Sequence, residues 1–332
     1  FCRCNRRLKR LMIKRLSFLL LTFAILAFFI LPTNAQSNEI LVLEGEGAVT
    51  PAMASYFGRG IDQGEEANAP VLILLNTPGG SLDATLDIVS ELRNATVPVI
   101  VYVSPRGAQA ASAGSVITAA GHVAAMAPET VIGAASPING DGSDINETAY
   151  RKAVEDLKAT LRSLTDQRGA EAMTLAEEMI EDARAVSASE ALAVGFIDLV
   201  ANDVDELLTE LDGRTVQVNG EEQVLETAAL TPRNIEPTFL EIVLQAIANP
   251  VLIGILLPIG ILALTVEFYS TGGYVGGFVG VIFIGLALYG AGQLPVNWLG
   301  MGLIVVAFIL FVLEATTPTN GPLALTGTIA LT

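Results

Sequence analysis

Apolar and polar positions divide the chain into three regimes. A mostly apolar run extends from Leu16 to Leu31. From residue 36 to about residue 238, short continuous apolar segments alternate with amphipathic ones. From Phe239 onward the chain is almost wholly apolar. In the middle regime the strand candidates are Ile40–Leu43, Pro70–Leu75, Val97–Val103 and Val123–Ala127. The helix candidates are Pro51–Ala67, Leu82–Arg93, Ala113–Ala120, Ala149–Gln167, Leu175–Asp182 and Ala188–Val194. Continuous apolar strands between helices predict a parallel sheet covered on both faces, hence an α/β domain. The pieces Asp203–Leu211, Thr215–Val218 and Glu222–Leu225 come next. They lead to a linker, Thr231–Thr238, that holds two prolines. No internal repeat is visible.

The last regime predicts membrane helices. Three apolar stretches, about Val251–Phe268, Gly272–Gly290 and Trp298–Leu313, each approach the roughly 17–25 residues that span a bilayer. Their glycines suit close helix packing in lipid, and Tyr269, Tyr274, Tyr289 and Trp298 fall near their ends, where aromatic belts lie. Composition agrees. The 332 residues are 52% hydrophobic and only 16% charged, with mean hydropathy +0.55, against about 25% charge in soluble domains. Arg233 is the last basic residue, so the distribution of Lys and Arg does not orient the helices.

Charge sharpens the reading of the N-terminus. Seven of the 18 basic residues lie in the first fifteen positions, whereas from residue 36 onward 11 basic residues face 35 acidic ones. An acidic body without basic patches argues against nucleic acid as a partner. Lys14 and Arg15, the apolar run and Thr33-Asn34-Ala35 read as a signal peptide starting at Met12, with residues 1–11 as upstream translation. A retained signal anchor is the alternative, and either one exports the segment beyond residue 36. The apolar end Gly321–Thr332 stops in mid-pattern, so the sequence reads as a fragment at both ends. The expected organisation is 1–35 upstream residues and signal peptide, 36–230 exported α/β domain, 231–238 linker, and 239–332 multi-pass membrane region. The expected location is the cell membrane, with the α/β domain outside the cytoplasm.

Residue types limit the chemistry. Cys2 and Cys4 are the only cysteines and His122 is the only histidine. Disulfides, a cysteine nucleophile and a Cys- or two-His zinc site are therefore excluded from the body. No P-loop or other nucleotide motif occurs, and no metal or cofactor is expected. Two motifs remain. Asn76-Thr77-Pro78-Gly79-Gly80 follows a strand, and its glycines let backbone N–H groups approach a substrate; read alone, it is an ordinary strand-to-helix turn. Gly107-Ala108-Gln109-Ala110-Ala111-Ser112-Ala113-Gly114 places a serine before an apolar helix, where free N–H groups and the helix dipole favour an oxyanion. Alone, Ser112 would read as an N-cap. Ser115, inside the helix, is a second candidate.

Taken together, the two motifs resemble the ClpP/crotonase-like peptidases. Gly107–Gly114, Ala125-Met126-Ala127-Pro128, Ile132-Gly133-Ala134-Ala135-Ser136-Pro137 and Glu190-Ala191-Leu192-Ala193-Val194-Gly195 resemble the membrane-bound NfeD family of ClpP-class serine proteases. The resemblance covers about residues 38–320. Long members carry a C-terminal OB-like domain that this sequence lacks, in keeping with the expected truncation. The resemblance implies a ClpP/crotonase-like α/β domain followed by transmembrane helices. It also implies self-association, apolar segments of membrane proteins as substrates, a stomatin- or prohibitin-like partner, and contact with membrane lipid.

It implies a Ser–Lys dyad as well. His122, ten residues beyond Ser112 at the entrance to the next strand, reads as a packed strand-edge histidine. Lys152 and Lys158 lie on the helix Ala149–Gln167, whose apolar stripe is Tyr150, Val154, Leu157, Leu161 and Leu164. Helical geometry turns Lys152 nearly opposite that stripe and sets Lys158 roughly 80° from its centre. A solvated lysine is the ordinary reading of both. The family spacing, ten residues before the basic residue of Arg162-Ser163-Leu164, selects Lys152. A partner subunit or the loop Asn139–Glu147 would then bury that face, against the influence of Glu155 and Asp156, which would raise a lysine pKa. In the implied mechanism Ser112 attacks, Lys152 shuttles the proton, Gly80 and Ala113 form the oxyanion hole, and Gly79 lines the substrate. The alternative is a non-catalytic crotonase-like membrane scaffold for stomatin-type assemblies. An acyl-CoA enzyme ranks third, because an exported domain would not meet its cofactor.

Overall fold

The computed structural model describes residues 38–137, 147–269, 275–293, 303, 306–307, 309–310 and 322–331. The expected signal peptide, the loop Asn139–Asn146 and most of the stretch Trp298–Leu313 lie outside these residues.

Six parallel strands form the main sheet. Strands β1 (Glu39–Glu46), β2 (Val71–Asn76), β3 (Val99–Val103), β5 (Val123–Met126), β8 (Leu199–Val200) and β11 (Thr231–Asn234) are ordered β11-β1-β2-β3-β5-β8. Residues along each strand alternate between two cores. Leu41, Leu43, Val71, Ile73, Leu75, Val99, Val101 and Val103 enter one, and Ile40, Val42, Leu72, Ile100 and Tyr102 enter the other. Both faces are therefore covered, and this is why the strands read as continuous apolar runs. Helices α1 (Pro51–Ala67), α2 (Leu82–Asn94) and α3 (Ala113–Ala120) cover the first core, and α7 (Val204–Leu211) covers the second.

Local signals set the helix ends. Thr50 caps α1 by accepting from the Met53 N–H at 3.2 Å, and Asn68 ends the helix at φ 47°. Ser81, directly after the Gly-Gly pair, caps α2 through the Ala84 N–H. A second sheet of three-residue strands, β4 (Gln109–Ala111), β6 (Val131–Gly133) and β7 (Ala185–Ser187), stands beside the main one in the order β4-β6-β7. Helices α4 (Glu147–Thr165) and α5 (Ala170–Glu181) pack on each other next to it. The short helix α6 (Ala188–Ala193) follows β7 and opens with a Ser187/Glu190 capping box. Strands β9 (Thr215–Val218) and β10 (Glu221–Val224) form a hairpin.

One expectation needs correction. The first half of the expected linker is the edge strand β11, which pairs with β1 from Glu39↔Thr231 to Val42↔Asn234. Its Pro232 disguised it, yet proline is tolerated on an edge strand, where the missing N–H faces outward. The chain then forms a short helix, α8 (Phe239–Ile247), with a Thr238/Glu241 capping box. Glu241 is held by the Arg59 guanidinium, at 3.0 Å from Nε and 2.7 Å from Nη2, which docks α8 on α1 and keeps the Glu241 carboxyl below the usual range.

Helices α9 (Pro250–Tyr269) and α10 (Val275–Gln293) are each long and apolar enough to cross a membrane. They pack at Gly260 and Gly280, where a Cβ on Gly280 would stand 2.7 Å from the Gly260 carbonyl. Glu267 accepts from the Gly276 N–H at 3.0 Å and so caps the start of α10. A last apolar helix, α11 (Pro322–Leu331), closes the described residues.

Candidate active site

The two sequence motifs meet at one end of the main sheet. The turn after β2 is tied to β4: Thr77 N–H donates to the Gln109 carbonyl at 2.7 Å, and Ala111 N–H donates to the Thr77 carbonyl at 3.0 Å. The Thr77 hydroxyl accepts from the Gly79 N–H at 3.1 Å and fixes the turn internally. Gly79 has φ +112°, and a Cβ there would stand 2.8 Å from the Ser112 Cβ and 3.3 Å from its Oγ. The Gly-Gly turn and the serine are thus in van der Waals contact. Gly114 allows α3 to approach, since a Cβ would stand 2.7 Å from the Thr77 methyl.

Ser112 sits on a sharp strand-to-helix turn. Its φ of 51° and ψ of −113° are strained for a residue with a Cβ, and such strain collects at functional turns. The surroundings enforce it. Ser112 N–H donates to the Gly133 carbonyl at 2.8 Å, and its own carbonyl accepts from the Ser115 hydroxyl at 2.7 Å. The side chain makes no capping bond to α3, so Ser112 is not an ordinary N-cap. Ser115 is fully buried and supports the turn. Among the described residues, no hydrogen bond engages the N–H groups of Gly80 or Ala113. Ala113 opens α3, where the dipole is positive.

The segment Ile132–Pro137 supports the serine from the second sheet. Gly133 supplies the carbonyl that holds Ser112, Ala134 N–H donates to the Arg184 carbonyl at 2.8 Å, and the Ser136 hydroxyl donates to the Ile180 carbonyl at 2.6 Å. Periodicity could not reveal this support, because strands of three residues carry no period. The sequence signal was the motif Ile132–Pro137, whose Gly133 takes a φ of +125°.

The two lysines separate as helix geometry predicts. Lys152 is exposed on α4. Lys158 is buried beside the apolar stripe and pairs with Glu181, with Glu155 at 3.9 Å. The Glu181 hydrogen bond raises its pKa, so it is held as a cation and is unsuited to act as a base. No hydrogen bond joins Ser112 to either lysine among the described residues.

His122 lies at the far end of α3 and serves the sheet. Its Nδ1 accepts from the Val99 N–H at 3.0 Å. Burial, reinforced by Arg93, pushes its pKa down from 6.5 to about 4. The folded state therefore binds fewer protons than the unfolded chain between these values. Stability is fully present above about pH 6.5 and falls towards pH 4, by about 3 kcal/mol if the full shift is expressed. Urea unfolding of wild type against His122→Gln from pH 7 to pH 4.5 should show that extra loss in the wild type alone.

An α/β domain with a strained serine at a strand-to-helix turn is joined to two helices long and apolar enough to cross a membrane, and known proteins give its class. Residues 40–220 match the N-terminal domain of NfeD1b, and residues 251–332 match the NfeD integral membrane domain. The chain is 38% identical over 298 residues to the membrane-bound protease PH1510 of Pyrococcus horikoshii, covering 88% of this chain and 67% of that protein. It is 28% identical over 271 residues to membrane protein NfeD1b of Bacillus subtilis, covering 78% of this chain but only 58% of that one. Two solved structures of the 1510-N membrane-bound stomatin-specific protease align with it. A serine-to-alanine mutant gives a TM-score of 0.56 at 35% identity, over 61% of this chain and 99% of that one. A lysine-to-alanine mutant in complex with a substrate peptide gives 0.58 at 34%, over 64% and 98%. The chain belongs to the NfeD family. It is a serine protease carrying an integral membrane domain.

Proposed function

We propose that the protein is a membrane-anchored serine endopeptidase with Ser112 as nucleophile and Lys152 as base. Its substrates are apolar segments of membrane proteins, a stomatin-like protein among them. The observation that carries this reading is Ser112 itself: a strained serine against Gly79, in a turn where no hydrogen bond among the described residues engages the N–H groups of Gly80 and Ala113. A stomatin-like substrate is inferred from the specificity named for the Pyrococcus protease. We further propose that residues 36–230 form a ClpP/crotonase-like domain outside the cytoplasm, and that residues 239–332 cross the bilayer more than once.

The proposed chemistry is acyl transfer through the serine. Neutral Lys152 takes the Ser112 hydroxyl proton as Oγ attacks the peptide carbonyl. Gly80 and Ala113 N–H groups hold the oxyanion while Gly79 lines the bound chain. The Lys152 ammonium protonates the departing amine, leaving an ester on Ser112. Lys152 then removes a proton from water, which hydrolyses that ester.

Lysine must be neutral to start the cycle, which burial or a nearby cation brings about. Lys152 is exposed in the single chain. We therefore propose that the enzyme is a homo-oligomer in which a second copy covers the α4 face. Spacing supports Lys152 over Lys158. The serine and lysine altered in the Pyrococcus mutants lie 41 residues apart. Ser112 and Lys152 lie 40 apart, and Ser112 and Lys158 lie 46 apart.

The test uses the full chain in detergent, an apolar-segment peptide and mass spectrometry. Lys152→Ala should slow cleavage by at least about 10³-fold. Lys158→Ala should cleave within about threefold of wild type once its fold is verified. Loss of cleavage in Lys158→Ala with retention in Lys152→Ala would overturn the assignment.

A further inference from the structure

We propose that Gln245 of helix α8 is a positioning residue for the reaction. It clasps the strap Gly47–Thr50 and so holds the turn that carries Gly80. The inference rests on the reading of Gly80 as an oxyanion donor.

The strap joins β1 to α1 and lies between the turn and α8. On one side it is stitched to the turn. Gly47 N–H donates to the Asn76 carbonyl at 3.0 Å, Val49 N–H donates to the Gly79 carbonyl at 2.9 Å, and Ser81 N–H donates to the Val49 carbonyl at 2.9 Å. Gly80 rests so closely on the Val49 backbone that a Cβ there would overlap it. The position of Val49 therefore sets the position of the Gly80 N–H.

On the other side, one side-chain amide holds the strap. Gln245 Nε2 donates to the Ala48 carbonyl at 2.9 Å, and its Oε1 accepts from the Thr50 hydroxyl. A cleft of about 500 Å³, lined in part by Gly47, Ala48, Thr50 and Gln245, opens at the same place. The strap has room to shift into it once the clasp is lost. Helix α8 continues through Ala248 and Asn249 into the membrane helix α9. A change in the seating of the membrane segment is thus transmitted to the oxyanion turn.

The test is steady-state cleavage of an apolar-segment peptide by the full chain in detergent. Gln245→Met keeps length and loses both hydrogen bonds. Its kcat should fall about tenfold or more, with KM within twofold, because sub-ångström displacement of a catalytic group acts on the chemical step. Arg59→Gln cuts the neighbouring tether of α8, spares the strap, and should leave kcat within twofold. Thr50→Val should reproduce the kcat loss and Thr50→Ser should restore it, with thermal unfolding read beside kcat because Thr50 also caps α1; an intact fold with the kcat loss decides the matter if Gln245→Met does not fold. A Gln245→Met kcat within twofold of wild type, a Thr50→Val kcat within twofold of wild type, or an equal kcat loss in Arg59→Gln would overturn the proposal. Ser112→Ala in the same assay separates the two readings. If it still cleaves, the serine assignment fails and this inference falls with it. If it is inactive while Gln245→Met is unaffected, only the clasp fails.

Discussion

Ser112→Ala should lose at least about 10³-fold in peptide cleavage and keep its fold. The size of the effect follows from the role. Among the described residues the other hydroxyls at the turn are engaged: Thr77 bonds Gly79, Ser81 caps α2, and the buried Ser115 donates to the Ser112 carbonyl. The stability cost is small because the Ser112 side chain makes no cap bond to α3, and no buried partner is left unsatisfied. Alanine meets the same backbone strain at φ 51° as serine does. Cleavage followed by mass spectrometry, together with thermal unfolding, checks both halves. The expected result is no detectable product within the assay window and a midpoint within about 2 °C of wild type.

Gly79→Ala should be nearly as damaging to activity, and should destabilise as well. A Cβ would stand 2.8 Å from the Ser112 Cβ, a separation that real Cβ atoms do not adopt, so either the turn or the serine must move. Moving either one would spoil the alignment proposed for Oγ with the Gly80 and Ala113 N–H groups, for an expected kcat loss of about 10²-fold. The φ of +112° adds strain of about 1–3 kcal/mol for a residue with a Cβ. Urea unfolding and kcat measured on one preparation separate the two effects. A kcat within threefold of wild type would mean that the Gly79 turn does not face the reacting serine.

Much of this was legible in the sequence, for definite reasons. The main strands are continuous apolar runs because both faces are buried, so Val99–Val103 announces itself. Helix α4 carries its stripe plainly enough that the exposure of Lys152 follows from helical geometry, whereas Lys158, at the border of the stripe, read as solvated and is in fact buried against Glu181. Features made by contacts between distant segments were not legible. The three-residue strands β4, β6 and β7 have no period to read, yet they hold Ser112 through the Gly133 carbonyl. Strand β11 was masked by Pro232, whose tolerance depends on its place at a sheet edge. Gln245 looks like any polar residue on an apolar helix until the fold brings it, 197 residues along the chain, onto the Ala48 carbonyl.

The most direct test of the central claim is capture of the ester on Ser112. The full chain is mixed with an apolar-segment peptide, quenched in acid at early times, digested and mapped by mass spectrometry. The account predicts an acyl fragment on the peptide carrying Ser112, absent from Ser112→Ala and from Lys152→Ala. An acyl fragment on any other residue, or cleavage that continues in Ser112→Ala, would contradict it.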